Sequence, residues 1–404
     1  MQDTSSSLRR EEASTATSGW PMLRTVRVLV SILMLQLAFG LVYSWGAVVP
    51  YVRQYDHWSP LLTSAVFSAG PLGYATGMII SGRLAEYAPP RRLCWTGAGL
   101  MVGGFAITFL FPSSFTFILF YAAIGLGLGG AIAMAGSLAA GITLFPTRVG
   151  TIGGALTGSY ALAALIEAPL VGALAMTSGW LNALRVVGSG VALMAVVMVL
   201  LMPSVPRSRP VQAGRNSISF PQLMGRKAIW IAILLEATAT PLGSYAFAAI
   251  AAYTHGLRLE PWMAAVAIIA VAAGNALGRI VGGTASDYFG IKSVFLVICG
   301  ANLVAAILLY RTGGDLVVLL AAFLAGIGFG GPAGVLSRLA SASAPDAPHA
   351  AFGLLFAGFA FGAFYGPLLG SAVGGTIGWL VLGAIGLMCG LLLLVRVPFT
   401  RHRG

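Results

Sequence analysis

An asparagine and an arginine four residues apart, Asn275 and Arg279, stand in the stretch GNALGRIVGGTASDYFGIK (residues 274–292), which is otherwise mostly Gly, Ala, Ile and Val before Asp287. Residues at i and i+4 share one face of a helix, so the amide and the guanidinium project together. An arginine in the middle of an apolar helix costs roughly 2.5–3.5 kcal/mol on insertion scales unless it meets a partner or a wet cavity. Its planar fork of donors suits a carboxylate, and it stays protonated at any working pH, which makes it an anion ligand and a poor proton carrier. The plainer account is an ion pair with a nearby acid. Only Glu236 and Glu167 lie well inside apolar stretches. Counted from the same end of their helices, Glu236 and Arg279 are each about 10–12 Å deep at 1.5 Å per residue. Glu236 is therefore expected to pair with Arg279 or to titrate beside it. Glu167, in LIEAPLVG, lies nearer the opposite end as a proton entry point. Carboxyls in apolar surroundings favour the neutral form, so both acids are candidates for proton coupling; local hydrogen bonding to Ser, Thr or backbone is the alternative.

The elements that hold these residues are membrane helices. Hydrophobic residues make up 58% of the 404-residue chain and charged residues only 8%, against about 25% in soluble domains. Apolar runs near the 20 residues a bilayer requires predict spans at 25–50, 59–82, 93–112, 115–144, 150–175, 181–203, 228–252, 262–286, 293–311, 316–340, 350–373 and 376–396. Residues 1–24 read as a disordered tail, 204–227 as a polar linker between two six-helix bundles (25–203 and 228–396), and 397–404 as a second tail. With both termini inside, 18 of the 23 basic residues fall on the inner side and four on the outer, as the positive-inside rule requires. Trp58, Trp180, Trp262 and Trp379 fall at outer helix ends, where an interfacial aromatic belt is expected. The formal charge of +12 is spread over short connections without interleaved aromatics, which excludes a nucleic-acid surface. Three scattered cysteines and four histidines in connections or the tail offer neither a disulfide framework nor a metal site, and no cofactor is implied.

The two halves repeat. GYATGMIISGRLAEY from Gly73 lies over GNALGRIVGGTASDY from Gly274 without a gap, and GLGLGG from Gly125 lies over GIGFGG from Gly326 at the same offset. Met78 thus takes the place that Arg279 holds in the second half: the scaffold is symmetric and the charge is not. The glycines fall in GxxxG pairs, which let helix backbones approach closely. A dinucleotide fingerprint would need a preceding strand.

Parallel repetition of six-helix units resembles the major facilitator superfamily, whose sites lie between the halves near the midplane. GRLAEYAPPRR from Gly82 resembles that superfamily's loop motif, with Glu86 in place of Asp and Pro89 where a Gly is expected. Its repeat, GTASDYFGIK from Gly283, keeps Asp287 and Gly290. The resemblance implies a gating role for Gly82, Glu86, Arg91, Arg92, Gly283, Asp287 and Gly290, the acids pairing with basic loop residues. Within the superfamily, GLVYSWGAVVP (40–50), LFPTRVG (144–150) and NALGR (275–279) look like the oxalate/formate antiporters and the monocarboxylate transporters. That likeness implies that Arg279 binds a substrate carboxylate. Oxalate exchangers carry a lysine on the eleventh helix where this chain has Phe359, so one cation instead of two favours a monocarboxylate with an apolar tail. Tyr121, early in the fourth helix, is a further candidate for hydrogen bonding the cargo; Tyr43, Tyr160, Tyr245 and Tyr365 rank below Asn275.

The expectation is an all-α membrane protein with the major facilitator fold. It would move a lactate- or pyruvate-like monocarboxylate together with a proton, as a monomer in the bacterial inner membrane with both termini cytoplasmic. Anion exchange, proton-driven efflux and a non-transporting sensor are the alternatives. Catalysis is disfavoured because neither a triad nor a phosphate loop in proper context is present.

Overall fold

The computed structural model describes residues 21–145, 148–206, 220–311 and 314–394. Residues 1–20 of the expected tail 1–24, 207–219 of the expected linker 204–227, the expected tail 397–404 and Pro146–Thr147 of the LFPTRVG motif lie outside them, whereas Met22–Arg24 already belong to the first helix. Twelve spans follow one another. The first, α1 (22–55), runs from Met22 through a 3₁₀ stretch, Gly40–Ala47, and ends as Val49–Tyr55. Then come α2 (Pro60–Tyr87), α3 (Pro90–Leu110), α4 (Ser114–Leu144), α5 (Val149–Ser178) and α6 (Trp180–Leu201). A short helix, Phe220–Met224, leads into α7 (Lys227–Gly256). Next, α8 (261–289) and α9 (291–311) are separated only by Gly290, at φ 82° and ψ 158°. A left-handed backbone suits glycine, which turns the chain there at no steric cost. The set closes with α10 (Asp315–Ser343), α11 (Pro348–Val373) and α12 (Ile377–Leu394). No strand occurs among the described residues.

Without water to drive helices together, packing in a bilayer rests on close backbone approach. The glycine pairs provide it in both halves. A Cβ on Gly73 would strike the Ala123 carbonyl, and one on Gly77 would lie 2.6 Å from the Ala131 methyl, so α2 rides on α4. In the second half a Cβ on Gly274 would strike the Phe323 carbonyl and one on Gly278 would lie 2.8 Å from the Gly331 nitrogen, so α8 rides on α10. The sequence repeat is thus a repeat of packing. Large apolar side chains such as Ile79, Leu193 and Phe361 are turned outward, where lipid covers them.

The tryptophans correct one expectation. Trp262 is exposed at its helix end, but Trp180 and Trp379 are buried, Trp379 against the Tyr245 ring at 4.4 Å. Trp180 Nε1 instead donates to Asp56 at 2.5 Å. These rings pack at the ends of the bundles away from the termini.

The halves meet most tightly on the side away from the termini. Ser64 of α2 and Ser371 of α11 share a hydrogen bond of 2.5 Å, and a Cβ on Gly46 of α1 would strike the Phe247 carbonyl of α7. Adding a methyl at this seam forces backbone apart at about 1–3 kcal/mol, roughly a tenfold shift in population. Gly46→Ala is expected to raise severalfold the labelling of a Ser371→Cys reporter by a membrane-impermeant thiol reagent. The three native cysteines are buried and give little background.

Candidate functional site

The site forms where α1, α2, α8, α10 and α11 converge below that seam. Two α10 glycines permit it. A Cβ at Gly330 would strike the Asn275 carbonyl, and one at Gly334 would lie 2.5 Å from the Arg279 carbonyl. The α8 backbone at both residues is therefore pressed against α10, and their side chains are fixed from behind.

Arg279 Nε donates to Asn275 Oδ1 at 3.0 Å, and its Nη2 donates to the hydroxyl of Tyr43 at 3.4 Å, from the other half of the chain. Glu236 is not its partner. It is 0% exposed, its two carboxyl oxygens lack hydrogen-bond partners, and the charged or thiol neighbour within electrostatic range is Cys389. Among the described residues the ion pairs are Arg226–Asp346 and Arg338–Asp287, neither of which involves Arg279. Glu236 is buried within the second bundle, outside the lining of the Arg279 cavity. Among the described residues Arg279 has no carboxylate partner.

A cavity of about 60 Å³ lies against the guanidinium, walled by Tyr43, Phe67, Tyr74, Phe329, Phe356 and Phe359. The rings interlock: Phe329 and Phe359 lie 5.1 Å apart, Phe67 and Phe247 stack at 6.1 Å, and Tyr74 meets Phe356 at 5.4 Å across the halves. Phe359 stands where expected. Asn275 does not line the cavity; it is 0% exposed and acts by holding Nε, with its Nδ2 unpartnered. Asn275→Ala removes one hydrogen bond to a charged group, worth about 1.5–3 kcal/mol. It is expected to raise the KM for the cargo at least tenfold while protein yield stays unchanged.

Tyr121 is elsewhere. It sits in a π-helical stretch of α4, Phe117–Leu128, stacked on Phe105 at 4.9 Å and packed on Phe117 and Trp45, outside the cavity lining. Of the lower-ranked tyrosines, Tyr43 and Tyr160 reach the cavity. Tyr365 donates to the Ala237 carbonyl at 3.0 Å, which Pro241, having no N–H, leaves free; Tyr245 packs on Trp379. The missed wall residues Tyr74, Phe329 and Phe356 had one legible signal: Phe352, Phe356 and Phe359 recur at i, i+4 and i+7, one face of a helix.

At the end of α8, Asp287 pairs with Arg338 of α10, within the same half. Arg91 donates to the carbonyls of Val199 and Leu200 at the end of α6, where Arg27 also donates to Leu201. Cations suit helix C-termini. Arg92 is exposed. The side chains of Gly82 and Glu86 lie outside the described set.

Two pseudo-symmetric helical bundles enclosing a cavity between them, in a chain with an apolar exterior, define a multi-pass membrane carrier. The chain belongs to the Major Facilitator Superfamily, whose profile matches residues 28–350. No curated protein matches it. Among solved structures, a mutant of the nucleoside transporter NupG aligns with TM-score 0.73 at 13% identity, covering 92% of this chain and 99% of that one. A bacterial homolog of the human lysosomal transporter Spinster, inward-facing and unoccupied, aligns with TM-score 0.70 at 15% identity over 93% and 96%. NupG itself aligns with TM-score 0.66 at 14% identity over 91% and 98%. Identities this low carry the fold and no substrate.

Proposed function

We propose that this protein is a secondary transporter for small monocarboxylates of the lactate or pyruvate type, moved together with a proton by alternating access. The single observation that carries the reading is Arg279: a guanidinium facing an aromatic cavity and held by an amide and a phenol, with no ion-pair partner among the described residues. Cavity size supports it. At roughly 10–15 Å³ for each water-sized centre, about 60 Å³ admits four to six such groups, near the six non-hydrogen atoms of lactate and well short of a nucleoside. The apolar wall suits a short alkyl tail, and one cation suits one carboxylate. Moving proton and anion together keeps the load electroneutral, which lowers the desolvation cost of crossing.

In this reading the halves 25–203 and 228–396 rock as units about the site, as a monomer in a bacterial inner membrane with cytoplasmic termini. The Asp287–Arg338 pair and Gly290 belong to the gate at the α8–α9 corner. The test is pH-gradient-driven uptake of labelled lactate by proteoliposomes, with Arg279→Ala alongside. Uptake by wild type that disappears in the variant is expected; flux that survives the substitution would move the site elsewhere.

A further inference from the structure

A second group of buried polar atoms, in the first bundle, takes no part in the Arg279 cavity. Glu167 of α5 is 4% exposed with both carboxyl oxygens unpartnered, and the buried hydroxyls of Ser44 and Tyr121 are unpartnered as well. Buried polar groups almost always find partners, so three orphans in one region call for a cause.

The helices bring them together. α1 and α5 run side by side in the same direction: a Cβ on Gly40 would strike the Ala163 methyl and the Tyr160 carbonyl. One turn further along both helices sets Ser44 level with Glu167. Tyr121 of α4 is within electrostatic range of Glu167. All three helices depart from regular geometry here: α1 is 3₁₀ over Gly40–Ala47, α4 is π-helical over Phe117–Leu128, and α5 carries Pro169 two residues past Glu167. Pro169 cannot donate to the Leu165 carbonyl, which leaves another free acceptor beside the carboxyl. Such irregularities gather at functional sites.

Access and communication are both present. On the side away from the termini a cavity of about 440 Å³ has Ala47 and Pro169 in its floor and Thr254, His255 and Glu260 in its wall. That is far above the roughly 10–15 Å³ needed to hold a water, and the cavity ends within a turn of Ser44 and Glu167. Toward the other side, Tyr160 is within electrostatic range of both Glu167 and Arg279. Its ring stands edge-on to Tyr43 at 5.5 Å, and the Tyr43 hydroxyl accepts from Arg279.

We infer that Glu167, with Ser44 and Tyr121, is the proton-binding site, loaded from the far-side vestibule and linked to Arg279 through Tyr160 and Tyr43. As a coupling site it rests on the proton-coupled carboxylate reading above; as a titrating site it does not. A vestibule water delivers the proton to a Glu167 carboxylate oxygen: one O–H bond breaks in the hydronium ion and one forms on the carboxyl. Protonating Glu167 removes a negative charge from the first bundle and so makes the Arg279 side of the site more attractive to an anion, and by linkage the anion favours the proton. The titratable groups facing Glu167 are the phenols of Tyr121 and Tyr160; α1, α4, α6 and α8 bring no charged side chain into its range. Glu236, buried in the second bundle and outside the cavity lining, takes no part.

Infrared difference titration of the full-length protein in lipid, without cargo, tests the site directly. Wild type is expected to show a carboxylic C=O band that disappears as pH rises; Glu167→Gln should remove it and Glu236→Gln should keep it. Ser44→Ala and Tyr121→Phe, which delete single hydroxyls, should shift its midpoint. A titrating band that persists in Glu167→Gln, no titrating band in wild type, or a midpoint unmoved by both hydroxyl variants overturns the assignment. In proteoliposomes Glu167→Gln should lose gradient-driven lactate accumulation at least tenfold while lactate–lactate exchange stays within twofold; retained accumulation also overturns it. If wild type moves no lactate, the carboxylate reading fails, and the infrared titration still decides the proton site.

Discussion

Arg279→Ala is expected to reduce carboxylate uptake at least a hundredfold, and Arg279→Lys nearly as much. Two charge-assisted hydrogen bonds to a carboxylate are worth about 1.5–3 kcal/mol each, so their joint loss exceeds the roughly 2.7 kcal/mol that a hundredfold change represents. Lysine keeps the charge but lacks the fork, and it cannot hold both Asn275 Oδ1 and the Tyr43 hydroxyl while presenting two parallel donors to the cargo. The measurement is initial uptake of labelled lactate below saturation, normalised to folded protein in the liposomes. Because Arg279 has no ion-pair partner among the described residues, its removal is expected to strand no buried carboxylate, and the variant is expected to melt within a few degrees of wild type. A structural arginine would behave the other way, with a large loss of stability. The pairing of uptake with melting temperature therefore separates the two roles.

The second large effect is expected in α10. Gly330→Val places a branched side chain where even a Cβ meets the backbone of Asn275, with its carbonyl carbon at 2.7 Å and its Cα at 2.8 Å. Backbone cannot rotate away as a side chain can, so α8 and α10 must separate, at a cost of about 1–3 kcal/mol or more. The variant is expected to melt several degrees lower and to lose most uptake, since Arg279 rides on the same stretch of α8. Gly99→Val is the control: its Cβ meets nothing within 4 Å, so both melting temperature and transport should stay near wild type. A Gly330→Val protein with wild-type stability and uptake would mean that close α8–α10 packing does not position the site.

Much of this molecule was legible in its sequence for a physical reason. A bilayer demands about 20 apolar residues per helix, so span number, basic-residue asymmetry and the glycine repeat could be read by counting along the chain. The cost of a charge in hydrocarbon singled out Arg279 in the same way. Rise along a helix, about 1.5 Å per residue, could be counted as well. Direction around the helix could not. Amphipathicity gives direction in a soluble helix, whereas a membrane helix is apolar toward both lipid and protein, and the pattern is nearly blank. Hence the sequence pairs Glu236 with Arg279, whereas the folded carboxyl is buried without a hydrogen-bond partner, and it points Tyr121 at the cargo, whereas the ring stacks on Phe105. Tyr43, 236 residues from Arg279 in the chain, could be placed against it only by the docking of the two halves. The chemistry to be done was thus written in one residue; the tertiary structure alone decided which phenol and which rings surround it, because only folding brings the two halves face to face.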